Sequence, residues 1–282
     1  MFRTWILALI LCFSFCFSPN ITFSANNSDA APVCITVNGH YIKCDPPAFL
    51  HGGYTMIPLR AISDALSADT VLWNEAKSTA YIKKGNTEIQ ITKNSKIAWV
   101  NGKKATLDAK AMIVADRFFV PIRFIAETFL ASVNWDKTTY TANISHPNVE
   151  VPAHMIGERA YSHDDLYWLS RIVHAESEGE PMLGKVAVAN VVLNRVRSPL
   201  FDDSVYDVIF DRKYGVQFTP TANGAIYNTP SGDSIIAAKR ALFGENHAGK
   251  SLYFLNPSIS TSFWIVNNRT FYKSIGNHDF YL

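Results

Sequence analysis

The sequence lacks a dominant charge. Its 26 Lys and Arg against 24 Asp and Glu leave a net charge of +2, which excludes the strongly basic footprint of a nucleic-acid binder and suits a chain that meets a neutral or mildly anionic polymer. Histidines at metal-ligand spacing are also missing. His40, His51 and His146 are scattered, and His163, His174, His247 and His278 follow no zinc pattern, so no metal or other cofactor is expected. Cysteine is scarce: Cys12 and Cys16 fall in an N-terminal apolar segment, leaving Cys34 and Cys44, an even pair for which a disulfide is the expectation in an oxidising compartment. The apolar run from Trp5 to Phe17 is short for a membrane span.

That run, with Arg3 before it and Ser24 and Ala25 after it, has the layout of a secretory signal peptide, so residues 1–25 are expected to be removed and the remainder exported. An uncleaved anchor is the other reading. At 282 residues the chain is long for one domain, and two are expected.

An internal repeat marks the first domain. "VNGHYI" at Val37 recurs as "VNGKKA" at Val100, and "MIPLRAISDALSADTVLWN" at Met56 recurs as "FVPIRFIAETFLASVNWD" at Phe119. Each copy reads as two strands, a short helix opening on Pro58 or Pro121, then strands around Trp73 or Trp135. Asn38-Gly39 and Asn101-Gly102 predict tight turns. Arg60 and Arg123 occupy matching places and are read as anchors of their helices rather than as a binding pair. The twice-repeated P-[LI]-R pattern with its downstream Trp resembles the copper amine oxidase N-terminal-like domain, a stalk module of exported wall proteins. The resemblance implies a two-repeat α+β stalk over residues 33–147, expected to hold the protein at a wall without chemistry. Residues 148–160, "NVEVPAHMIGERA", follow Pro147, contain Pro152 and Gly157, have no apolar periodicity and read as an accessible linker.

The second domain, 161–282, opens with "YSHDDLYWLSRIVHAESEGEPMLGKVAVANVVLNRVRS". Ser162 and Asp165 form a capping-box pattern, and Leu166, Leu169, Ile172 and Val173 define a helical stripe on which Glu176 falls next. The following segment is apolar on almost every face, as a buried central helix is. Packing beside it would take the Glu176 carboxylate out of water and raise its pKa, which suits a proton donor to a glycosidic oxygen. Spacing alone leaves a second reading open, a helix-end carboxylate paired with Arg171, Arg195 or Arg197. Glu180 is a secondary acidic candidate, read in preference as capping the next helix, and Glu178 as solvated.

Further on, "YGVQFTPTANGAIYNTPSGDS" has the polar, aromatic-bearing make of a loop lining a polysaccharide groove. Gln217, Phe218, Thr219 and Asn223 there, with Tyr253 and Asn256 beyond it, are the substrate-binding candidates; an ordered surface loop is the plainer reading. The tail alternates in strand fashion, and most of Tyr253, Phe254, Trp264, Phe271 and Tyr272 are expected in the core.

"RIVHAESEGEPMLGKVAVANVVLNRVRSPLF", "QFTPTANGAI", "YFLNPS" and "IGNHDFY" together resemble the catalytic domain of SleB/CwlJ-type spore-cortex and cell-wall hydrolases. The resemblance implies a lysozyme-related α+β fold, a helical lobe with a small antiparallel β lobe, peptidoglycan as substrate, and Glu176 as general acid. This chain departs from the family pattern at Glu178, where a basic residue is common, and at Asn223, where Asp is usual; both bear on local charge and pH optimum. With no second acid evident, lytic transglycosylation between N-acetylmuramic acid and N-acetylglucosamine is the expected reaction. An N-acetylmuramoyl-L-alanine amidase and a non-catalytic wall-binding protein are the alternatives. The expected setting is the cell wall or spore envelope, with peptidoglycan strands as partner, an accessory or coat protein as a further one, and no nucleic acid.

Overall fold

The computed structural model describes residues 31–159 and 161–282; the expected signal peptide lies outside them. The N-terminal domain runs β1 (Pro32–Val37), β2 (His40–Tyr41), β3 (Ala48–His51), β4 (Tyr54–Pro58), α1 (Leu59–Ala65), β5 (Thr70–Asn74), β6 (Thr79–Lys84), β7 (Thr87–Thr92), β8 (Ile97–Val100), β9 (Lys103–Thr106), β10 (Met112–Val114), β11 (Arg117–Pro121), α2 (Ile122–Thr128), β12 (Ser132–Asp136) and β13 (Thr141–Ser145). One sheet is ordered β10-β11-β4-β3-β1-β13-β12, with β2 beside β1, and a second is the meander β5 to β9.

The repeat is visible as symmetry. β4 and β11 pair antiparallel, Val120 opposite Ile57 and Phe119 opposite Pro58, so the two copies meet along equivalent strands. α1 and α2 are each seven residues and follow Pro58 and Pro121. Each proline is the last residue of a strand rather than the first of its helix; its fixed φ fits both places. Trp73 lies in β5 and Trp135 in the matching β12. Both Asn-Gly turns have positive φ at both residues, as a two-residue type I′ hairpin requires. The anchoring arginines diverge: Arg60 reaches the Val71 carbonyl, while Arg123 pairs with Glu127 one turn along its own helix.

The segment after β13 differs from an accessible hinge. Val149, Val151 and Met155 are buried, Asn38 donates to the carbonyls of His146 and Val149, Lys43 N donates to Met155 O, Gly157 N donates to Tyr41 O, and Ile42 and Ile156 form a bridge. It is a strap sewn to the first domain. The sequence shows its prolines and lack of period; it does not show the acceptors waiting on β2.

The C-terminal domain contains α3 (His163–Ser177), α4 (Met182–Val196), α5 (Val205–Phe210), α6 (Pro220–Asn223), α7 (Gly232–Leu242), β14 (Tyr253–Leu255), α8 (Trp264–Asn268), β15 (Phe271–Ile275) and β16 (His278–Tyr281). It is α+β: α3, α4 and α7 pack on one another, and β14-β16-β15 form a small antiparallel sheet. On α4 the run from Gly184 to Leu193 is buried without interruption. Each fully buried Val or Leu there contributes roughly 1.5–3 kcal/mol relative to exposure, which makes α4 the axis of the domain. The tail aromatics depart from expectation: Trp264, Phe271 and Tyr272 are exposed, and Tyr253 and Phe254 are half-buried. A three-stranded sheet with one covered face leaves the other to solvent. α8, inside a stretch read as strand, was hidden by its neighbours' alternation.

The domains share a buried junction. Lys239 on α7 is fully buried and donates to the carbonyls of Thr139 and Tyr140, at 2.8 and 2.7 Å. Cys34 lies against Tyr161 Oη at 3.3 Å, and the Arg159 guanidinium stacks on the Tyr161 ring. The expected disulfide is not formed. Both cysteines are free thiols, Cys34 packed with the C-terminal core and Cys44 with the N-terminal one.

Candidate active site

The capping box forms as the sequence predicts: Ser162 Oγ accepts from Asp165 N at 3.0 Å, and the Asp165 carboxylate accepts from Ser162 N at 2.8 Å. This fixes the start of α3, and fourteen residues on Glu176 stands in its last turn. Burial against the domain core pushes the Glu176 carboxyl up to about 7, with no hydrogen bond or nearby charge among the causes. Neither Arg171, Arg195 nor Arg197 forms an ion pair with it. Arg171 lies over the Tyr167 ring, and Arg195 donates to Leu252 O. Among the described residues, the paired-carboxylate reading of Glu176 therefore has no partner.

The other two acids of the motif have different surroundings. Glu178 is exposed, and His174 Nδ1 lies 4.0 Å from its carboxylate. Glu180 is buried, and its carboxylate accepts from Asn277 N at 2.9 Å and from Asn277 Nδ2 at 3.0 Å. It does not cap α4, whose N-cap is Pro181 without a side-chain bond. Instead it clamps the turn between β15 and β16, and at Gly276, where φ is +60°, any Cβ would overlap its Oε2. Lys185, buried one turn into α4, donates to the carbonyls of Glu178 and Glu180. The bend that brings Glu176 to the end of its helix is thus held from two sides.

The substrate-binding candidates separate. Phe218 is buried, its ring 6.3 Å from that of Phe254, so it is core rather than a sugar platform. Thr219 and Asn223 are exposed, with the Asn223 amide oxygen accepting from Ala225 N. The Asn256 amide oxygen likewise closes a turn onto Ser258 N. Gln217 and Tyr253 come together through Arg195, whose guanidinium lies 3.5 Å from Gln217 Oε1 and 5.4 Å from the centre of the Tyr253 ring. Burial lowers the Arg195 pKa to about 10. Arg269 stacks on Tyr253 from its own side, 4.7 Å away, and also on Trp264. Sequence reasoning missed both arginines as organisers of the aromatic cluster; the signal was two cations in an aromatic-rich domain without acidic neighbours in sequence.

Residues 179–281 match the Cell Wall Hydrolase family, and residues 36–144 match the Copper amine oxidase N-terminal domain. The C-terminal domain is a cell wall hydrolase domain. Among curated relatives, spore cortex-lytic enzymes of Halalkalibacterium halodurans and Bacillus cereus are 42% and 43% identical over 120 residues, 43% of this chain, and that of Bacillus subtilis is 41% identical over 130 residues. These alignments cover 35%, 45% and 41% of the respective relatives, so the chain spans less than half of their length. A solved catalytic domain of the germination-specific lytic transglycosylase SleB of Bacillus anthracis is 41% identical, covering 45% of this chain and all of that one, with a TM-score of 0.41. The family match opens at Gly179, after Glu176, so the role of Glu176 rests on its geometry.

Proposed function

We propose that this protein is an exported lytic transglycosylase that cuts peptidoglycan strands between N-acetylmuramic acid and N-acetylglucosamine, with spore cortex as the target. The observation that carries this reading is Glu176: a half-buried carboxyl at a helix end, without an ion-pair partner among the described residues, that holds its proton near neutral pH. The protonated carboxyl donates to the bridging oxygen as the bond to the muramic anomeric carbon breaks, and the glucosamine leaves with a free hydroxyl. The resulting carboxylate then takes the proton of the muramic hydroxymethyl group as its oxygen closes on the anomeric carbon, giving an anhydro ring and restoring the acid. One residue serves both steps. Glu180 is engaged by Asn277 and Glu178 stands in water, so the motif supplies no second carboxylate for the two-acid hydrolytic route.

The family of the C-terminal domain and the relatives named as spore cortex-lytic enzymes support the substrate class. The test is mass spectrometry of digests of cortex and vegetative sacculi. Anhydro-muramoyl ends, released faster from cortex, are expected. Reducing ends would mean water attacks through an unrecognised base, released peptides would mean an amidase, and no products would mean a wall-binding protein.

A further inference from the structure

The N-terminal domain carries no site so far, yet its second sheet has one face built differently from a solvated surface. Register aligns Leu72 with Tyr81, Tyr81 with Gln90, Gln90 with Trp99, and Trp99 with Lys104. This row crosses all five strands. Leu72 and Trp99 are 63% and 44% exposed, and Ile97, beside Trp99 on the same face, is 42% exposed. The opposite face, with Ile82, Ile89, Ile91 and Ala98, is the buried one. A sheet needs only one covered face to be stable, so folding does not account for rings and aliphatic groups along the other. A row of exposed apolar groups, Leu72 and the Trp99–Ile97 pair, with half-buried Tyr81 and the Gln90 amide between them, is the make of an interaction surface.

We infer that the outer face of this sheet is a second binding site for peptidoglycan, taking the glycan strand across the strands with its peptide carboxylates on the surrounding lysines. Tyr81 and Trp99 stand two strands apart, about 10 Å, which matches one disaccharide of a β-1,4-linked strand, so both rings can face the same side of successive repeats. Aromatic faces take sugar C–H groups, and the Gln90 amide between them meets hydroxyl or N-acetyl groups. Charge selects this polymer over a neutral one. Residues 70–110 hold eight lysines against three acidic residues, while the whole chain is almost balanced at +2. Lys84 is taken up by the Leu66 carbonyl and Lys83 by Glu88. The charge beside the platform therefore comes from Lys104, aligned with Trp99, and from exposed Lys93, Lys96 and Lys103 on the neighbouring turns and edge strand, where it draws in an anionic wall. The inference rests on the proposed substrate class but places a site away from Glu176.

The test is cosedimentation of the full-length chain with purified sacculi, made in a Glu176→Gln background so that binding is read without digestion. Trp99→Ala and Tyr81→Ser should each weaken binding by at least tenfold, Trp99→Tyr should retain most of it, and Arg123→Ala, on helix α2 away from this sheet, should leave it unchanged. Paired Lys103→Glu and Lys104→Glu changes should weaken binding and flatten its salt dependence. Turnover of soluble glycan fragments by the same surface variants with Glu176 intact should equal that of the parent. Binding within twofold of the parent for Trp99→Ala and Tyr81→Ser overturns the inference, whatever the enzyme's products turn out to be. A parent dimer that Trp99→Ala converts to monomer also overturns it, since the face would then be a contact between copies. Absence of turnover in the Glu176 parent, with sacculus binding lost in Trp99→Ala, would count against the catalytic reading alone.

Discussion

Gly276 and Glu180 occupy one another's space: Gly276 has φ +60°, and a Cβ there would overlap Glu180 Oε2 and come within 3.0 Å of Pro181 Cδ. Gly276→Ala should cost about 1–3 kcal/mol from the left-handed backbone, with the clash in addition. The clash should shrink when Glu180 is also Ala. Chemical unfolding of the two single variants and the double variant measures this, and strict additivity would mean the clamp is not present in solution.

Glu176→Gln should reduce turnover by about 100- to 10,000-fold with the fold intact, and Glu178→Gln should leave it near the parent value. The same change should stabilise the protein at high pH. A folded-state value of about 7 against the ordinary 4.5 means the native chain holds more protons than the unfolded one between those limits, so stability falls as pH rises through that window. Gln escapes this loss. Melting temperatures should match at pH 4 and favour Glu176→Gln by a few degrees at pH 8, on the order set by ~1–2 kcal/mol. Turnover of the parent should decline above about pH 7 as the donor ionises.

Lys239→Met should uncover the carbonyls of Thr139 and Tyr140 and destabilise the protein by about 1–3 kcal/mol. The strap at 148–159 should resist mild proteolysis in the parent and become cleavable in this variant. Rapid cleavage of the parent in that segment, leaving an active C-terminal fragment, would restore the hinge reading.

Metal chelation should leave turnover of sacculi unchanged. An enzyme silenced by a chelator and rescued by zinc would be an amidase, and Glu176 would then need another role.

Local periodicity made much of this legible. The stripe ending at Glu176, the capping box at Ser162, the buried helix α4 and the paired Asn-Gly turns all follow from residues within a few positions of each other. What stayed hidden depends on partners far along the chain. Asn277 lies 97 residues from Glu180 and Thr139 lies 100 from Lys239, and neither separation leaves a periodic trace. Phe218 and Trp264 exchanged their expected places because an aromatic's burial depends on which sheet face is covered, and alternation alone does not say which.

The junction at Lys239 also has a temporal side. β1 pairs in parallel with β13, Cys34 opposite Thr141, so the N-terminal domain is closed once the chain has been made as far as Ser145. Lys239 lies more than ninety residues further on. A chain delivered N-terminus first folds its first domain first, so the two carbonyl acceptors are already in place when α7 arrives. The first domain presents ready-made acceptors to α7, and the order of the two modules along the chain is the order in which the junction can be assembled without stranding a buried ammonium.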